Sequence, residues 1–214
     1  MTPLQTVIKF FQDCGPFLYP SLALMALGLA IAAERLVFLG RARRDNRHLW
    51  GRLKGLLEAG KWREAAGLVE QSDAAMGRIV RVGLERLPAA RSRDDLDAAM
   101  EEGMLEIVPR LEQRTHYLAT FANVITLVGL LGTIIGLIKA FTAVAQVNAA
   151  EKSELLSAGI SIAMNNTAFA LMVAIPFLLL HAYLQARTTE VVDGLEAARL
   201  SFLNLVQHRT GMAQ

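Results

Sequence analysis

The chain has 214 residues, a formal net charge of +2 and one cysteine. The single Cys14 excludes an intrachain disulfide and a thiolate metal cluster. The 22 basic residues are nearly balanced by 20 acidic ones, and no Lys/Arg-rich run with interleaved aromatics occurs, which argues against a nucleic-acid partner.

Three stretches contain no Asp, Glu, Lys or Arg: residues 14–33, 115–138 and 155–186. A hydrocarbon core of about 30 Å needs roughly 20 apolar residues as helix, so each stretch can span. The chain is therefore expected to be an all-α membrane protein with three transmembrane helices, a helical cytoplasmic domain and long helices extending into the cytoplasm. In chain order the expected segments are 1–15 outside, the first span at 16–39, the aqueous helical domain at 40–114 and the second span at 115–147. An external loop at 148–156, the third span at 157–184 and a cytoplasmic C-terminal helix at 185–214 follow.

The first span imitates a signal peptide at Ala30, Ala32 and Ala33. Its charges argue otherwise. Only Lys9 and Asp13 precede it, whereas Arg35, Arg41, Arg43, Arg44 and Arg47 follow. Positive charge beyond a span keeps that side in the cytoplasm, so an uncleaved anchor with an external N-terminus is expected. Cys14 reads as a small residue at the membrane edge. Glu34, adjacent to Arg35 at the cytoplasmic edge, is expected to pair or snorkel there.

The segment 40–114 holds 15 of the 22 Lys and Arg residues and reads as helix throughout. Leu49, Leu53, Leu56 and Leu57 share one face, and Ala65, Ala66, Leu68 and Val69 follow Trp62. Ile79, Val82, Gly83 and Leu87 make another face, stopped at Pro88. Ser92-Arg93-Asp94-Asp95 resembles a capping box, opening a helix through Met100, Met104 and Ile107. Pro109 should kink this helix or break it in two. No alternating pattern with hairpin turns suggests a strand.

In the second span, Gly129, Gly132, Thr133, Gly136 and Ala140 recur at spacings of three and four, and Gly132/Gly136 form a GxxxG pair. Such faces let helices approach closely in lipid, so a packed seam is expected, and Gly132→Leu should break up the oligomer or make it unstable in detergent. Thr133 places a hydroxyl in the middle of the face, and Thr126 adds another one heptad earlier. From Leu118 to Val147 the helix would measure about 45 Å at 1.5 Å per residue, longer than a bilayer requires. Lys139 is expected to snorkel at the outer end.

The third span carries Asn165, Asn166 and Thr167 inside an apolar segment. Buried amides are costly in hydrocarbon without partners or a water-filled cavity. They mark either interhelical hydrogen bonding or a polar, ion-accessible lumen in which Thr167 faces Thr133. Ala163, Thr167, Ala170 and Ala174 share one small face, and Pro176 should bend the helix below it. His181 reads as interfacial. Val192, Leu195, Leu200, Leu203 and Val206 are spaced for an amphipathic continuation in the tail, where Arg187, Arg199, His208 and Arg209 place the C-terminus inside. Between the second and third spans, Lys152 stands against Glu151 and Glu154, which places that loop outside.

No catalytic residues, metal site or cofactor are expected. His-Glu-x-x-His, Gly-x-Ser-x-Gly and paired intramembrane Asp are all absent, and the chain does not read as an enzyme. Proton relays usually need a titratable group in the membrane, and no Asp or Glu occupies the core of any span. An ion-conducting role would therefore need a partner's carboxylate.

The run from Gly129 through Gly132-Thr133 and Gly136 to Lys139-Ala140-Phe141 resembles the signature of the MotA/TolQ/ExbB proton channel family. The likeness recurs at Gly159-Ile160, Ala163-Met164, Thr167-Ala168 and Val173-Ala174-Ile175-Pro176. Glu34-Arg35-Leu36 is similar to the ExbB/TolQ branch. The resemblance implies a homopentamer in the bacterial inner membrane around two copies of an ExbD/TolR-like single-span subunit, whose membrane Asp carries the ion. It implies further that Thr133 and Thr167 line the lumen. From their own polarity and spacing, Asn165, Asn166 and Thr126 are expected as additional polar groups there, and Gly129, Gly132, Gly136, Ala163 and Ala170 as helix-packing positions. The expected function is a motor subunit that converts the proton motive force into work on the envelope: outer-membrane transport, envelope maintenance or motility. A sodium-driven motor and a passive scaffold without conduction are the alternatives. Three positions depart from the family pattern. Ile162 stands where the branch carries a Glu, Thr126 replaces a Pro, and Ala170 replaces a Gly.

Overall fold

The computed structural model describes residues 15–210. Cys14, Lys9, Asp13 and residues 211–214 lie outside the described residues, so the expectations placed on them have no structural counterpart. Six α-helices follow in order: α1 (Leu18–Glu58), α2 (Trp62–Glu70), α3 (Ala75–Arg86), α4 (Arg93–Glu112), α5 (Thr115–Ala145) and α6 (Ala149–Thr210). No strand occurs among the described residues. Three helical stretches are long and apolar enough to cross a membrane: Leu18–Glu58, Arg93–Ala145 and Ala150–Arg209.

The chain divides into two compact units. One takes Arg114–Tyr183 together with α1 up to Ala33. Its core gathers Leu18, Ala122, Ile125, Phe169, Val173 and Phe177, with Leu22 and Met25 packed against them. Large apolar side chains face outward here, among them Leu127, Ile134, Ile138 and Phe141 on α5 and Met164, Met172, Ile175 and Leu179 on α6. An apolar exterior over small residues inside is the arrangement that a lipid solvent favours.

The other unit takes Glu34–Gln113 and the chain from Leu184 onward. Its interior is a continuous apolar core shared by several helices. Leu49, Leu53, Leu57, Ile79, Met100 and Leu195 are buried together. Phe202 packs so tightly on α3 that a Cβ at Gly83 would stand 2.8 Å from its ring. The predicted leucine face of 49, 53 and 57 is buried, with Leu56 half-buried. In the tail, Leu195, Leu203 and Val206 are buried, but Leu200 is 47% exposed and Val191 takes an inward place instead.

Helix ends follow local chemistry. At the end of α1, Gly60 has φ +73°, Gly60 N donates to Leu57 O at 3.0 Å, and Lys61 N donates to Leu56 O at 2.9 Å. This is a Schellman stop, which needs a left-handed residue that glycine supplies without a Cβ penalty. Ser92 caps α4 as its sequence implies, its hydroxyl accepting from Asp95 N at 3.2 Å.

Two expectations are corrected. The helix does not break in two at Pro109, since α4 runs on to Glu112 with Pro109 inside it, and the chain turns instead at Arg114, whose φ is +66°. The segment 148–156 is not a loop. It forms the first turns of α6, because Ala149-Ala150-Glu151-Lys152 and Glu154-Leu155-Leu156 are strong helix formers, and only 146–148 connect α5 to α6. The third span and the tail form one continuous helix through Pro176.

Candidate functional site

The seam between α5 and α6 is built from absent side chains. A Cβ at Gly129 would stand 2.3 Å from Ala170 Cβ, and one at Gly136 would stand 3.0 Å from Ala163 Cβ. At Gly132 a Cβ would meet the Asn166 amide, with Nδ2 at 3.0 Å. One turn further, a Cβ at Gly159 would stand 2.3 Å from Ala140 Cβ. The small face of the second span thus meets the small face of the third within one chain. Gly132→Leu would therefore act first on the protomer rather than on contacts between copies, as its sequence had suggested.

This closeness brings the two threonines together. Their hydroxyls are hydrogen-bonded to each other. Thr133 Oγ1 lies 3.1 Å from Gly129 O and 3.2 Å from Ala163 O, and Thr167 Oγ1 lies 3.3 Å from Gly129 O. Each hydroxyl has one proton and two lone pairs, so two protons serve four oxygens. Acceptor capacity is in excess, and the cluster can rearrange its bonds without moving a helix. Both threonines are half-buried.

The other expected polar residues divide. Asn166 is 6% exposed and lies against Gly132, while Asn165 is half-buried one residue away. Neither makes a side-chain hydrogen bond among the described residues. Thr126 is not joined to the threonine pair. Its hydroxyl donates to Ala122 O of its own helix at 2.9 Å. Ile162, at the place of the branch's Glu, is exposed. Lys139 is exposed. His181 is half-buried with Nδ1 3.1 Å from Thr115 O. No cluster of three His, Cys, Asp or Glu that could hold a metal occurs among the described residues.

Three contacts escaped sequence reasoning. Gly159 continues the Ala163–Thr167 row by one turn, so the spacing held that signal. Gly28 has none of its own, being one glycine in a Leu/Ala run, yet a Cβ there would stand 2.2 Å from the Phe177 ring. Arg35 is 1% exposed. Its guanidinium donates to Arg110 O at 3.5 Å and Leu111 O at 3.4 Å, contacts Glu34 at 3.6 Å and stacks over Phe38.

Residues 71–197, which include the seam, match the MotA/TolQ/ExbB proton channel family. The chain is 27% identical over 192 residues to a protein of Methanothermobacter thermautotrophicus named as a biopolymer transport ExbB homolog, covering 89% of this chain and 67% of that one. It is 31% identical over 116 residues to a biopolymer transport protein ExbB of Aquifex aeolicus, covering 54% of this chain and 76% of that one. With the family match spanning more than half of its length and both relatives carrying the ExbB name, this chain belongs to the MotA/TolQ/ExbB proton channel family, in its ExbB-like branch.

Proposed function

We propose that this membrane protein is the multi-pass subunit of a proton-driven motor of the inner membrane, with its N-terminus outside and its C-terminus inside. Five copies would surround two single-span subunits of the ExbD/TolR type, whose membrane Asp carries the proton. The observation that supports this reading is the threonine cluster: two hydroxyls and two carbonyl oxygens gathered on a small-residue seam. Such a cluster offers hydrogen bonds to a carboxylic acid or a carboxylate alike, because a hydroxyl both donates and accepts. Glu34 stands at the edge of the first span, and the other two spans, 115–147 and 157–184, hold no Asp or Glu, so the titrating group would belong to the partner. The motor would energise transport across the envelope.

Valine and serine substitutions separate the hydroxyl's role from that of packing. Thr→Val preserves volume, and a lost interhelical hydrogen bond costs only about 0.6 kcal/mol in a membrane. Thr133→Val and Thr167→Val are expected to express and assemble normally while proton flux in partner-containing proteoliposomes falls at least tenfold. Thr167→Ser should restore most of the flux. Full flux in both valine variants would overturn the lumen-lining role.

A further inference from the structure

We infer that the exposed face of α4 around Leu105 docks, in a second copy of this chain, on the exposed face of α1 around Gly40. Leu105 is 71% exposed, and the carboxylates of Glu101, Glu102 and Glu106 beside it are exposed as well. Glu101 is held by Arg199 and Glu106 by Arg110, whereas Glu102 has no ion-pair partner among the described residues. On α1, Gly40, Arg43, Arg44, Arg47 and His48 line a shallow cavity of about 480 Å³. A Cβ at Gly40 would meet nothing within 4 Å. Arg43 is held by Glu190, while Arg44 and Arg47 are exposed and have no ion-pair partner among the described residues. One face is an apolar knob among carboxylates, and the other is a notch among arginines.

The two faces belong to helices at opposite corners of this unit. α1 packs on α3, where Asn46 Oδ1 accepts from Met76 N at 3.0 Å, and on α6, where Arg43 meets Glu190. α4 packs on the same two helices. A Cβ at Gly103 would stand 3.5 Å from Val82 of α3, and Asp97 lies 3.4 Å from Arg199 of α6. Leu53 and Leu57 of α1 share one buried core with Met100 and Met104 of α4, so the faces opposite those residues point apart. A chain cannot bring its own Leu105 to its own Gly40. Because the surfaces differ, the contact between copies is heterologous and runs head to tail around a ring.

Height along the bundle selects the register. Arg35 donates to Arg110 O at 3.5 Å and to Leu111 O at 3.4 Å, which makes the two helices level at that point. From there α1 and α4 run in opposite directions: α6 runs alongside α1 from Arg43–Glu190 to Glu58–Arg209 and against α4 from Asp97–Arg199 to Arg93–Asn204. With equal rise per residue, Leu105 is level with Gly40 and Glu102 with Arg43 and Arg44, to within about one turn. In a ring whose axis runs along the bundle, rotation from copy to copy preserves height. It brings the Leu105 knob to the Gly40 notch and sets Glu102 beside Arg44. Charges at such a rim fix register and reject wrong partners more than they add affinity. This inference rests on the reading that several copies form a ring.

Native mass spectrometry of the full-length chain first counts the copies, and a monomer would overturn the ring and this contact together. The contact itself is tested in a Cys14→Ser chain carrying Arg47→Cys and Ala98→Cys, two exposed positions on the docking faces, treated with a short bismaleimide. A ladder of cross-linked copies is expected on a denaturing gel. Either cysteine alone should give none, because a heterologous contact pairs unlike positions. Adding Arg44→Glu or Glu102→Arg should slow cross-linking about fivefold, and the two reversals together should restore it. Leu105→Asp should slow it further, while Glu85→Arg, at an exposed position of α3, should leave it unchanged. An oligomer without a ladder, a ladder from one cysteine alone, or an equal effect of Glu85→Arg would overturn the contact and leave the ring standing. Failure of the double reversal to restore cross-linking would overturn the pairing of Arg44 with Glu102.

Discussion

Each glycine of the seam faces a different neighbour, and that difference predicts the cost of a methyl group. At Gly129 a new Cβ would run into Ala170 Cβ at 2.3 Å, an atom fixed to the backbone, so two helices must move apart. At Gly132 the nearest atoms belong to the Asn166 amide at 3.0 Å, which can rotate. Overpacking costs about 1–3 kcal/mol. Gly129→Ala is expected near the upper end and Gly132→Ala below about 1 kcal/mol. Unfolding midpoints in detergent check the order, and equal losses would show that the backbones yield as easily as the amide. The glycine spacing was plain in the chain's own letters, but the identity of each opposing atom was not.

At the scale of elements, the junction after α4 shows a side chain overriding a breaker. Proline removes one helix hydrogen bond and crowds the preceding turn, yet α4 continues past Pro109 to Glu112. Gln113 N donates to Pro109 O at 3.0 Å, and the buried Arg35 guanidinium donates to Arg110 O and Leu111 O. A cation at a helix C-terminus also opposes the negative end of the helix dipole. Arg35→Met should leave those carbonyls uncapped and destabilise the unit by about 1–3 kcal/mol. Hydrogen exchange should accelerate selectively in the last turn of α4. Arg35→Lys, with its charge but no planar fork, should fall between. Uniform protection in Arg35→Met would mean that the cap contributes nothing to that turn. Local rules did locate the Ser92 cap correctly, because Ser92 and Asp95 are three residues apart and their geometry is decided by the helix itself. Arg35 and Leu111 are 76 apart, beyond any local rule.

For the whole molecule, the distribution of charge carries the orientation. A reporter inserted between residues 60 and 90 is expected to read as cytoplasmic, and one inserted at 146–148 as external, because the basic cluster following the first span holds its side inside. An external signal from the 60–90 insertion would reverse the topology and refute the proposed direction of the motor. Three helical stretches able to span and a second all-helical unit were readable from composition and periodicity alone, since a charge-free run of twenty residues has few other uses and the burial of a helical stripe follows from its spacing. Which small face met which was not readable. Gly129, Gly132 and Gly136 said only that something approaches closely. The fold decided that the partner is α6 of the same chain, that Thr133 pairs with Thr167, and that Thr126 turns to its own helix. Asn46 was silent in the sequence for the same reason, since its fixed amide acquires meaning only from Met76, thirty residues away. Membrane solvation acts on each segment separately and so leaves its mark on local composition, whereas close packing is a relation between distant segments that no single segment records.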